Sequence, residues 1–228
     1  MKNKIRTVAV VDDGDDTAQA MINVLEDGDF EAYRQAASSS LEALVEEIVN
    51  KSDAAVCDHR LRYGGFGDLS GADLAARLTK RKHPTILVTQ YLDQEADVAI
   101  RKFRSDLPVV LRRGQADEPE EIRDAFARCI TEIDRGRRDG RTVQRTLLQV
   151  LSISSVNGEK VIDAIVDGFD STDAVRFPLQ LVAESERDKV KEGTLLVADT
   201  NVRATEKVEL FFENVGIAEE PDPNDGLA

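Results

Sequence analysis

The chain has 228 residues, 41% of them apolar, and a formal net charge of −14. That is enough apolar material for one large domain or two modest ones, while no apolar run approaches the roughly 18 residues that a membrane helix needs. The charge is negative in both parts, with 21 basic and 27 acidic residues up to residue 140 (net −6) and 9 and 17 beyond it (net −8). A surface built to grip nucleic acid carries a basic face of its own, so this balance speaks against such a partner.

Met1-Lys2-Asn3-Lys4-Ile5-Arg6 is basic, but Val8–Val11, which follows, is short and ends in Asp12. No leader with a cleavage site is expected, and the protein is expected to be cytoplasmic. Cys57 and Cys129 lie in apolar patterns without metal-ligand spacing, which predicts buried free thiols.

From the start, short apolar runs alternate with longer amphipathic stretches. The runs are Thr7–Val11, a weaker one at Glu31–Ala36, then Ala54–Cys57, Thr85–Val88 and Leu107–Leu111. Continuous apolar runs of this length suit strands buried on both faces, as in a parallel sheet. Between them, Met21, Ile22 and Leu25 fit a first helix, and Leu41, Leu44, Val45, Ile48 and Val49 a second. Leu74 and Leu78 fit a third, and Ala96, Ala99, Ile100 and Phe103 a fourth. The clearest stripe, Ile122, Ala125, Phe126, Cys129, Ile130 and Ile133, predicts a fifth. Ser38–Ser40 precede the second helix, and Ser70 with Asp73 has capping-box spacing before the third. The order βαβαβαβαβα with right-handed crossovers gives an α/β fold with an open, doubly wound, five-stranded parallel sheet over residues 1–133.

Residues 134–143 read as the end of the fifth helix and a linker. Beyond it the period becomes two. Candidate strands are Thr146–Ser154, Lys160–Val166, Val175–Val182, Thr194–Ala198 and Lys207–Phe212. Asn157-Gly158 between apolar runs is a hairpin signal, and Asp167-Gly168 and Glu192-Gly193 mark further turns. Five short strands predict a small all-β barrel or sandwich over 144–218. An acidic tail with two prolines, 219–228, is expected to be disordered. The 144–218 segment has no histidine or cysteine, and its aromatics are confined to Phe169, Phe177 and the Phe211-Phe212 patch. That speaks against thiol, zinc and Ser-His chemistry and against a stacking platform for bases. A protein-binding output module is the expectation.

In an open α/β sheet, ligands sit beyond the carboxyl ends of the strands. There the sequence places Asp12 and Asp13 after strand one, Asp58 after strand three, Thr89 after strand four, and Arg112 and Arg113 after strand five. Three carboxylates brought together repel and want a cation. Magnesium prefers oxygen ligands. A carboxylate can also act as the nucleophile toward a phosphoryl group.

These strand ends carry a resemblance. Val10-Val11-Asp12-Asp13, Ala54–Leu61 with Asp58 inside it, Leu69-Ser70-Gly71-Ala72-Asp73-Leu74 and Thr85–Thr89 resemble, in order, four motifs of response-regulator receiver domains, over about residues 5–133. The resemblance implies a flavodoxin-like sheet of order 2-1-3-4-5, with Asp58 as phospho-acceptor and Thr89 as switch hydroxyl. It implies Mg²⁺ held by Asp12, Asp13, Asp58 and the backbone carbonyl of Arg60. It further implies a sensor histidine kinase or phosphotransfer protein as donor, a downstream protein partner, and a possible homodimer through the fourth helix, fifth strand and fifth helix. Its chemistry would be confined to self-phosphorylation and slow hydrolysis of the aspartyl-phosphate.

The chain departs from the family at several points. Arg112 or Arg113 stands where the family has a lysine, Gln90 follows Thr89 where a small residue is usual, Val109 or Val110 replaces an aromatic, and Arg62–Gly67 lengthens the loop after Asp58. An atypical receiver serving as a scaffold is therefore the alternative. Asp13-Gly14-Asp15-Asp16-Thr17 also fits the Asp-x-Asp-x-Thr motif of haloacid-dehalogenase-type phosphatases. That reading puts the nucleophile one residue late after the strand and leaves Asp58 unexplained.

Overall fold

The computed structural model describes residues 5–67, 69–92 and 96–219, apart from the side chains of 96 and 97. The chain divides into two compact units, Met1–Glu95 with Phe103–Arg138, and Ala96–Lys102 with Asp139–Ala228.

The first unit is a parallel sheet of β1 (Thr7–Val11), β2 (Glu31–Arg34), β3 (Ala54–Asp58), β6 (Thr85–Thr89) and β7 (Val109–Arg112), in the order β2-β1-β3-β6-β7. A two-stranded antiparallel ribbon, β4 (Arg60–Leu61) and β5 (Leu69–Ser70), lies between β3 and β6 in sequence. Val8 to Val11 and Ala54 to Cys57 are all buried, as strands covered on both faces require. The helices are α1 (Asp15–Asp27), α2 (Leu41–Lys51), α3 (Gly71–Lys80) and α4 (Pro119–Arg135), the last being the fifth helix of the sequence pattern. Met21, Leu25, Ile122 and Phe126 join Val8, Val10, Val56 and Val88 in one core on one side of the sheet. Burying each of the larger side chains there contributes about 1.5–3 kcal/mol. Helix α2 begins on Ser40, whose hydroxyl accepts from the Ala43 N–H at 3.1 Å. The capping box expected at Ser70 and Asp73 does not form. Ser70 makes no side-chain cap, and Asp73 instead accepts from Arg77 at 2.8 Å. Cys57 and Cys129 are buried free thiols, and burial pushes both thiols up.

The amphipathic stripe read as a fourth α-helix takes a different form. Ala96–Ile100 is a π-helical turn, Arg104–Asp106 a 3-10 turn, and Ala96–Lys102 groups with the second unit. The reason is Arg101, only 1% exposed. Its guanidinium donates to the Leu210 carbonyl at 2.6 Å and the Lys207 carbonyl at 3.2 Å, and Lys102 pairs with Glu159 at 2.5 Å. A buried cation satisfied by backbone carbonyls outweighs a weak helical stripe. Arg101→Ala is expected to destabilise the second unit by about 2–4 kcal/mol, since it leaves carbonyls unpaired and a cavity behind. Faster hydrogen exchange at the Phe212–Ile217 amides is the readout, and unchanged exchange contradicts it.

The second unit is one antiparallel sheet of β8 (Gln144–Val156), β9 (Glu159–Val166), β10 (Asp170–Pro178), β11 (Leu195–Thr200) and β12 (Phe212–Ile217), in the order β10-β9-β8-β11-β12. One sheet encloses one core, in which Leu148, Ile162, Phe177, Leu196 and Phe212 meet. Val182, beyond the end of β10, makes an isolated parallel bridge to Val215 of β12. The β8–β9 connection is the two-residue Asn157-Gly158 turn, with φ of 51° and 83°. The last strand lies later than the apolar run Lys207–Phe212 suggested. Lys207–Glu209 is a 3-10 turn held by a Glu206–Glu209 capping box, and the strand begins at Phe212. Among the described residues no helix is long and apolar enough to cross a membrane.

Candidate functional site

The carboxyl ends of β1, β3, β6 and β7 open into a cavity of about 710 Å³, lined among others by Asp12, Asp13, Thr17, Asp58, Arg60, Arg62, Tyr63, Thr89, Gln90, Tyr91 and Arg113. The sequence-predicted residues Asp12, Asp13, Asp58 and Thr89 thus stand together. Parallel pairing sets their common level, with Val11 opposite Cys57, Asp58 opposite Val88 and Thr89 opposite Arg112.

Asp12 is 3% exposed and fully engaged. Its Oδ1 accepts from the Gly14 N–H at 2.9 Å and the Thr17 hydroxyl at 2.6 Å, and its Oδ2 accepts from Arg113 Nη2 at 2.9 Å. Asp13 turns to the loop after β4. Its Oδ2 accepts from the N–H groups of Arg62 and Tyr63, at 2.7 and 2.9 Å. The lengthened loop is therefore held by Asp13, and Gly64, Gly65 and Gly67 supply its left-handed backbone turns.

Asp58 closes β3. Its Oδ2 accepts from the Arg60 N–H at 2.9 Å, and its Oδ1 lies 3.2 Å from Arg113 Nη2. Its carboxyl is pushed up to about 6, first by burial and then by the charge of Asp12, against the opposing pull of the Arg60 N–H and Arg113. Thr89 is 1% exposed, and its Oγ1 accepts from the Tyr91 N–H at 3.1 Å. His59, next to Asp58, is buried.

Arg113, the residue after β7, reaches Asp12 and Asp58, whereas the backbone N–H of Arg112 donates to Gln115 Oε1. The Ser-Gly motif also acquires a cause. A Cβ on Gly71 would lie 1.7 Å from the Asp58 carbonyl oxygen, so α3 can start against the end of β3 only with glycine there. Two contacts were not predicted from sequence. Thr17 reaches back five residues from the first turn of α1 to Asp12, and the Arg60 guanidinium lies 4.0 Å over the Tyr91 ring. A threonine in the first turn after an acidic strand end is a signal for the former. The latter depends on tertiary placement.

The donor chemistry suits a hard divalent cation. Three carboxylates line the cavity, one guanidinium pairs with two of them, and the charges of Asp12 and Asp13 help raise the Asp58 carboxyl. Among the described residues no group of three or more His, Cys, Asp or Glu side chains is already arranged as a metal cage.

No protein-family model and no curated protein matches the chain. Several solved structures do. A response regulator receiver domain protein from Clostridium thermocellum is similar at 19% identity and a TM-score of 0.43, over 57% of this chain and 97% of its own. A CheY-like response regulator receiver domain protein from Methanospirillum hungatei is similar at 17% identity and a TM-score of 0.42, over 57% and 98%. The N-terminal domain of a response regulator/sensory box/GGDEF protein from Carboxydothermus hydrogenoformans is similar at 16% identity and a TM-score of 0.42, over 57% and 97%. Over somewhat more than half its length the chain thus resembles receiver domains, and its remaining part has no counterpart in these three structures.

Proposed function

We propose that this protein is a response regulator whose first unit accepts a phosphoryl group on Asp58 and whose second unit carries the output through protein contacts. The observation that carries the reading is the convergence on one cavity of Asp12, Asp13, Asp58, Thr89 and Arg113, from four separate strand ends.

An Asp58 oxygen attacks the phosphorus of a donor, a histidine phosphoramidate of a kinase or phosphotransfer protein, or a small acyl phosphate. The bond from phosphorus to the leaving nitrogen or oxygen breaks as the carboxylate–phosphorus bond forms. Asp58 is oriented for this by the Arg60 N–H, which its Oδ2 accepts. Asp12, Asp13 and Asp58 with the Arg60 carbonyl are the residues that would hold Mg²⁺, which when bound neutralises charge on the phosphoryl oxygens. The Thr89 hydroxyl exchanges its hydrogen bond with Tyr91 N–H for one to the phosphoryl group. That exchange is the local event from which a switch is built. The downstream partner is a protein rather than a nucleic acid, in line with the acidic balance of both halves.

The phosphatase reading fares less well against the same geometry. Its nucleophile would be Asp13, whose Oδ2 is bound by two loop N–H groups, while the motif threonine, Thr17, serves Asp12. The scaffold reading is separated by ligand binding. Wild-type protein with Mg²⁺ and beryllofluoride is expected to give a bound-fluoride resonance by fluorine NMR that Asp58→Asn lacks. Its absence from the wild type would favour the scaffold.

A further inference from the structure

The acidic site already contains a cation. A single nitrogen of Arg113 lies 2.9 Å from Asp12 Oδ2 and 3.2 Å from Asp58 Oδ1, so the guanidinium bridges two of the three carboxylates. The remaining oxygens of these two residues are taken by the chain itself: Asp12 Oδ1 by Gly14 and Thr17, Asp58 Oδ2 by the Arg60 N–H. Of Asp12 and Asp58, the oxygens left to meet a metal ion are therefore the ones Arg113 holds. A guanidinium keeps its charge throughout the accessible pH range, so the conflict with a divalent ion cannot be relieved by losing a proton. It can be relieved only by movement, and Arg113 lines an open cavity in which its side chain, 25% exposed, can swing away.

We propose that Arg113 is a tethered competitor of the divalent cation, holding Asp12 and Asp58 in the resting protein so that metal enters only as the arginine leaves. The proposal rests on the reading of this site as a metal-assisted phospho-acceptor. It adds a regulatory property to that site. Metal loading is weak until a phosphoryl group offers the guanidinium a second anionic partner, so metal and phosphodonor bind with positive coupling. A site carrying a neutral side chain at 113 loses that coupling and binds the ion alone.

The test is Mn²⁺ affinity, read by the loss of the free-ion signal in electron paramagnetic resonance, with the full chain and no phosphodonor. Arg113→Gln is expected to bind Mn²⁺ about tenfold or more tightly than wild type. Arg113→Lys keeps the charge without the fork and is expected to fall between the two. Thermal melting in chelator establishes that each variant is folded. Should the glutamine variant not fold, the lysine variant carries the comparison, and an affinity equal to wild type overturns the proposal. Equal or weaker binding by a folded glutamine variant overturns it as well. If wild type and Arg113→Gln bind equally and Asp13→Asn abolishes binding in both, competition is wrong and the metal site stands. If neither binds, the metal-assisted reading falls with it.

Discussion

Gly71→Ala is expected to destabilise the first unit by about 3–5 kcal/mol, the upper range for a single substitution. The backbone of Gly71 lies in an ordinary region, so conformational strain is not the cause. The cause is steric: the new methyl group would sit 1.7 Å from the Asp58 carbonyl oxygen and 3.0 Å from the His59 Cα, both backbone neighbours that cannot rotate aside. Either α3 withdraws, losing the Gly71 N–H to His59 carbonyl hydrogen bond of 2.9 Å, or the end of β3 moves and takes Asp58 with it. Both routes predict lost phosphoryl acceptance beside lost stability. Urea unfolding of the full chain, followed by circular dichroism, reads the first effect. A variant with wild-type stability would contradict the close approach of α3 to β3.

Asp58→Asn is expected to act in the opposite direction. The buried carboxyl of Asp58 is pushed up to about 6, above the value near 4 of an unfolded chain. A raised folded-state value means that the folded protein favours the protonated form. The ionised carboxylate therefore costs stability above pH 6, and that cost fades as pH falls through 6 toward 4. In metal-free buffer at pH 7.5, replacing Asp58 by the neutral asparagine is expected to stabilise the protein by about 1–3 kcal/mol. The gap between variant and wild type should close between pH 6 and pH 4. Chemical denaturation at pH 7.5, 6 and 4.5 measures both features. An asparagine variant less stable than wild type at pH 7.5 would show that the Arg113 pairing outweighs burial and the repulsion from Asp12. A functional centre that costs stability is the expected pattern where charge is concentrated for binding.

Much of the first unit could be read from sequence because its strands are covered on both faces. Val8 to Val11 and Ala54 to Cys57 must be apolar throughout, and a continuous apolar run is hard to miss. The site followed from the fold, since the ends of those runs place Asp12, Asp58 and Thr89 at one level. What escaped the sequence depends on single residues of register or on distant partners. Arg112 and Arg113 are adjacent cations, and only the end of β7 at Arg112 decides which one turns to the carboxylates. Nothing local to Arg101 signals its burial, since its partners are carbonyls more than a hundred residues away. The last strand was placed too early because Val208 and Leu210 mimic the start of a strand, although Glu206 and Glu209 cap a turn there.

The most direct test of the account is intact-mass spectrometry of the full chain after incubation with acetyl phosphate and Mg²⁺, with Asp58→Asn in parallel. The account predicts that wild type gains one phosphoryl group and the asparagine variant gains none. No gain by wild type, or an equal gain by both proteins, would contradict the assignment of Asp58 as phospho-acceptor.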